Sequence, residues 1–191
     1  MKKINNAMFA FGFILLMVGG CQISPSEKVD KQKFLSTDVS LEQSGVMKSA
    51  EYNRIKAIDE SVQSGASMSE ADASWLLSIA DKRDEKKYVY GLRLIHASMP
   101  FRHSKPNQWP PAVTDRVFKL GTEMVSFDYQ SVINPQTSKP LSHVVAYGCM
   151  LLGNTEDQRA LPLLAKHINS SDSGIAQMAK FATNKLNSGK R

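Results

Sequence analysis

The chain has 191 residues, 24 Lys and Arg against 18 Asp and Glu, a net charge of +6, and only two cysteines. A surplus that small points neither to nucleic acid as a partner nor to strong electrostatic steering. Cys21 and Cys149 are too few for a disulfide-stapled scaffold, and the length suits one compact domain that is stabilised by packing.

The first stretch in chain order has the parts of an export signal. Lys2 and Lys3 open it, an apolar run extends from about Ala7 to Val18, and small residues precede Cys21. The run is shorter than the roughly 20 residues that span a bilayer. Val18-Gly19-Gly20-Cys21 resembles the lipobox of bacterial lipoproteins, with Val18 where the family usually has Leu and Gly19 where it has Ala or Ser. The resemblance implies a diacylglyceryl group on the Cys21 sulfur, removal of residues 1–20 as a signal peptide, and acylation of the new amine by a fatty acid such as palmitate. Each buried methylene contributes about 0.8 kcal/mol, so one chain holds a protein marginally and two or more hold it stably. By the enterobacterial sorting rule, Asp after the cysteine retains a lipoprotein in the inner membrane; Gln22 therefore implies the outer membrane, with the protein facing the periplasm. With Cys21 acylated, Cys149 has no partner for an internal disulfide.

Residues 21–48 are rich in Ser, Lys, Gln and acids, a composition that cannot offset the entropy of ordering. They read as a lipidated N-terminus and flexible tether with a span of roughly 30 Å. A short helix around Lys33 to Leu41 is the alternative.

Residues 49–187 read as a helical domain. Tyr52, Ile55, Ile58 and Val62 fall at spacings of three and four, one stripe of a helix that Gly65 ends. Ser67 and Glu70 have capping-box spacing before a second helix carrying Trp75, Leu76 and Ile79, which runs to about Asp81. A third extends from near Asp84 to Met99, with Tyr88, Gly91, Leu92, Ile95 and Met99 inward, and Pro100 is expected to stop it. The four prolines between residues 100 and 111 predict a loop. A fourth helix, about Ala112 to Phe127, has Val113, Val117, Leu120 and Met124 in register, and a second loop holds Asn134-Pro135 and Lys139-Pro140.

From His143 the pattern repeats at an offset of 31, matching Val144, Tyr147, Gly148 and Leu151 to Ile175, Met178, Ala179 and Ala182. Small residues at 148 and 179 would let helices approach closely. Between the two segments, Thr155 and Gln158 have capping-box spacing before a helix with Leu161, Leu164 and Ile168 inward and a kink at Pro162. The run Leu152 to Leu164, Asp172 in the turn, and a small-residue helix from Ile175 to Leu186 resemble a HEAT-like repeat. The same shift applied to Leu161–Ile168 lands on a loop at Gln130–Thr137, so the resemblance implies one HEAT-like pair and not a full solenoid. The expected class is all-α: an irregular helical bundle ending in a HEAT-like, α-solenoid-like helix pair.

Signatures whose spacing carries a mechanism are missing from the sequence: no Gly-x-Ser-x-Gly elbow, His-Glu-x-x-His, Cys-x-x-Cys or phosphate-cradling loop. Glu60-Ser61 matches two letters of the lytic transglycosylases, whose downstream Gly-Leu-Met-Gln is lacking. His96, His103, His143 and His167 are scattered without metal-ligand spacing, so no metal and no cofactor is expected. Cys149 reads as a small buried residue, and Glu123 as the exposed side of an amphipathic helix or, if buried, a candidate acid.

Phe101, Arg102, His103, Lys105 and Trp109 put aromatic and cationic groups on a proline-stiffened segment, the residue types that dominate interface energies. They are the candidate partner-binding residues; a connector with Phe101 and Trp109 pinned to the core is the plainer alternative. The expected function is a lipid-anchored envelope module that binds or scaffolds another protein, without nucleic acid. An immunity protein against a periplasm-delivered toxin and a cell-wall hydrolase are the alternatives.

Overall fold

A computed structural model describes residues 49–83, 86–135 and 137–188. The signal segment, the lipobox with Cys21, the tether and the possible helix at Lys33 to Leu41 lie outside the described residues. Seven α-helices are described: α1 Ser49–Gln63, α2 Glu70–Ala80, α3 Lys87–His103, α4 Thr114–Val125, α5 His143–Asn154, α6 Leu161–Ala165 and α7 Ser173–Ser188. A two-residue antiparallel pair, β1 Ile133–Asn134 and β2 Lys139–Pro140, closes the loop before α5, with Ile133 opposite Pro140. The class is all-α.

The helices follow their apolar stripes. In α1, Ile55, Ile58 and Val62 are buried, and Gly65 ends the turn at φ +97°, a left-handed conformation that glycine adopts without strain. The cap of α2 lies two residues later than the Ser67–Glu70 spacing predicts. Ser69 Oγ accepts from the Asp72 N–H at 3.1 Å and donates to the Asp72 carboxylate at 2.6 Å. With Arg54 2.9 Å away as well, these bonds hold the Asp72 carboxyl below the usual carboxylate range.

α3 is the hub, and here the sequence expectation is corrected. Pro100 does not stop the helix, which runs three residues further to His103. A proline inside a helix costs about 3 kcal/mol or more, but continuing the helix buries Phe101 completely and Arg102 to 4% exposure. Tertiary burial of the last turn overrides the break. The prolines after it act as the sequence suggests: Pro106 and Pro111 each open a short 3-10 turn, where a missing N–H costs nothing.

Two further expectations shift in the C-terminal part. Thr155 ends α5, its hydroxyl donating to the Leu152 carbonyl at 2.7 Å, and does not cap a new helix. Asp157 caps the 3-10 turn Gln158–Ala160, and Pro162 sits in the first turn of the five-residue α6 instead of kinking a helix that reaches Ile168. Asp172 caps α7 by accepting from the N–H groups of Gly174 (2.9 Å) and Ile175 (3.1 Å).

The helices succeed one another as pairs, α2 with α3, α4 with α5 and α6 with α7. α3 packs on α5 and α5 on α7, while α2 touches α4 and α4 touches α6; α1 lies on α3. Of the positions related by the 31-residue offset, Val144, Tyr147, Gly148 and Leu151 in α5 and Ile175, Ala179 and Ala182 in α7 are buried, whereas Met178, the counterpart of Tyr147, is only partly covered. Glycines set the closest approaches. A Cβ built on Gly148 would lie 2.7 Å from Met124 Cβ, and one on Gly153 would lie 2.8 Å from Ala182 Cβ.

Candidate functional site

The segment from Phe101 to Trp109 is split between core and surface. Phe101 and Trp109 meet edge to face at 5.8 Å, both buried, and the indole Nε1–H donates to Ser104 Oγ at 2.6 Å. Arg102 folds back along α3: Nε donates to Ser98 Oγ at 3.2 Å, and its guanidinium lies 3.8 Å from the centre of the Tyr147 ring on α5. His103 is partly exposed and its Nδ1 lies 2.8 Å from Asp59 Oδ1 on α1, with Gln63 Nε2 donating to the other carboxylate oxygen at 2.6 Å. Lys105 alone of the five is fully on the surface. Phe101, Arg102, His103 and Trp109 thus hold α3 to its surroundings, and Lys105 is the one of the five that is exposed.

Asn154, the last residue of α5, organises the adjoining surface. Its two amide N–H groups are shared among the carbonyls of Phe101, Arg102 and Ser104, with Arg102 the nearest, at the helix end where carbonyls lack intrahelical partners. Its carbonyl oxygen accepts from the Lys185 ammonium of α7 at 2.8 Å. Lys185 is half-buried, and that desolvation, more than the nearby charge of Lys105, lowers its pKa, with Glu156 opposing the shift. Among the described residues, neither Lys105 nor Lys185 forms an ion pair. Beside Lys185 on α7 stands Phe181, 51% exposed and, among the described residues, one of two large apolar side chains so exposed, the other being Ile133.

Glu123 on α4, on which a hydrolase would rely, is half-buried and accepts from the Tyr90 hydroxyl and from Arg83 at 3.3 Å. Burial first, and then that bond to Glu123, raise the Tyr90 pKa. The pair joins α3 to α4. Glu60 and Ser61 are exposed on α1. Burial pushes the Cys149 thiol up to about 12, so it stays protonated and packs as a small apolar group. His96 lies edge-on to Tyr52 at 5.6 Å and His143 is 6.0 Å from Tyr147. Among the described residues no group of three or more His, Cys, Asp or Glu is placed to hold a metal ion, and no helix is long and apolar enough to cross a membrane.

Asn154, Lys185 and Phe181 were not singled out by sequence reasoning, although a signal for them exists. The offset of 31 that relates the inward faces of α5 and α7 also relates Asn154 to Lys185 and Met150 to Phe181. A scan against protein-family models, a search of curated proteins and a search of solved structures each return no match to this chain.

Proposed function

We propose that this chain is an outer-membrane lipoprotein, anchored through Cys21 and facing the periplasm, whose helical domain binds or scaffolds another protein of the cell envelope. The anchor rests on the lipobox resemblance of Val18-Gly19-Gly20-Cys21. The binding role rests on one observation, exposed Phe181 one turn before Lys185 on α7, where the charge of Lys105 also reaches Lys185. An aromatic ring left half in water leaves apolar area that a bound protein would cover. Nothing in this role requires bond-making chemistry.

Amine-reactive crosslinking of intact cells, followed by purification of the chain and mass spectrometry, tests the reading. A defined envelope protein recovered in stoichiometric yield is the expected result, and a secreted toxin in that position would specify the immunity form of the same role. A chain recovered without any linked protein, under conditions that link known envelope complexes, would contradict it.

A further inference from the structure

One face of the domain suits one class of partner, an inference that rests on the protein-binding role. α7 packs on α5 more extensively than any other two helices pack together, Gly153 faces Ala182, and Asn154 holds Lys185. Contacts at the end of α5 fall in the middle and second half of α7, so α5 finds cover along its length only if the two helices run parallel. The offset of 31 then places Met150 level with Phe181 and Tyr147 level with Met178. Met150 and Met178 are partly exposed and Phe181 is largely so.

We propose that this α5–α7 face, with Phe181 at its centre flanked by Met150 and Met178 and with Lys105 and Lys185 at its end, docks an acidic segment of a partner protein that lays an apolar side chain against Phe181. Methionine adapts to an irregular partner surface, and aromatic rings supply much of the energy at the centre of an interface. Charge decides the class of partner. α7 carries no acid, Lys185 and Lys105 are the cations at this end of the face, and Glu156 is the acid whose charge acts on Lys185. The Lys185 ammonium is half-buried and held by a neutral amide oxygen. A partner carboxylate would meet it at little further desolvation cost, and that is the condition under which an interfacial charge pair adds affinity.

The test places a photo-crosslinking benzoylphenylalanine at position 181 of the full chain, in intact cells, with the exposed position 119 on α4 as comparison. The expected adduct joins position 181 to a protein at a peptide rich in Asp and Glu, and Lys105→Glu, an exposed substitution, reduces its yield about tenfold. A phospholipid adduct, an adduct to a second copy of this chain, or a protein adduct indifferent to Lys105→Glu would overturn the proposal. So would adducts from position 119 with none from 181, although the protein-binding reading would survive that outcome. Failure of both positions, together with failure of amine crosslinking, would remove the two together.

Discussion

Gly148→Val is expected to destabilise the domain by more than about 3 kcal/mol. Even a bare Cβ there would stand 2.7 Å from Met124 Cβ, 2.9 Å from the backbone nitrogen of Val125 and 3.0 Å from Val125 Cγ1. The first of these neighbours is the root of a side chain and the second is backbone, so neither can swing away. Relief requires α5 to move off α4, which opens the core around Leu151 and Leu152, both fully buried. Gly148→Ala should be milder. A mid-helix alanine gains about 1 kcal/mol over glycine in propensity, against an overpacking cost of about 1–3 kcal/mol or more. Thermal unfolding followed by circular dichroism should order the three as wild type, alanine, valine, with the valine variant lower by several degrees or more. An alanine variant more stable than wild type would show that the close approach of α4 and α5 is not as described.

Asn154→Ala is expected to cost about 2–4 kcal/mol, from stranded acceptors and a half-buried ammonium left without its partner. The carbonyls of Phe101, Arg102 and Ser104 lose the two N–H donors they share, and Lys185 loses its acceptor. Asn154→Asp separates the two roles. Aspartate keeps the oxygen that faces Lys185 and makes it charged, yet it cannot donate to the carbonyls of Phe101, Arg102 and Ser104 and repels them instead. Chemical denaturation should therefore place the aspartate variant well below wild type. Equality with wild type would mean that the Lys185 contact, and not the capping of α3, carries the residue's contribution.

A sequence signal is only as informative as the physical constraint behind it. Apolar residues at helical spacing report a buried face, so α1, α4 and the inward sides of α5 and α7 were legible: Ile55, Val117, Tyr147 and Ala182 are all buried. Local rules report only local preference. Pro100 reads as a stop, but Phe101 and Arg102 lie beyond it and have places in the core, and their burial outweighs the break. Thr155 and Gln158 have the spacing of a cap, yet Thr155 is taken up in closing α5, with its backbone N–H and hydroxyl both donating to α5 carbonyls, and Asp157 holds the capping position instead. Pro162 is compatible with a kink or a first turn, and it takes the first turn because the Asp157-capped 3-10 turn ends just before it.

The candidate surface was less legible for a related reason. Aromatic rings and arginine suit interiors as well as interfaces, so Phe101, Arg102 and Trp109 carry the composition of a binding loop while serving as ties between helices. Asn154 has no compositional mark, since an asparagine that caps a distant helix looks like one facing water. Phe181 was accessible through the repeat: following the outward members of the 31-residue offset, and not only the inward ones, leads from Met150 to it.

Attachment of the chain to the envelope by fatty acyl groups is the central claim, and the mass of the N-terminal peptide tests it directly. Protein isolated from the membrane fraction of cells expressing the full sequence, digested and analysed by mass spectrometry, should begin at Cys21 and carry a diacylglyceryl group on its sulfur. A mature chain that begins elsewhere, or that begins at Cys21 with a free thiol and no lipid, would contradict that claim.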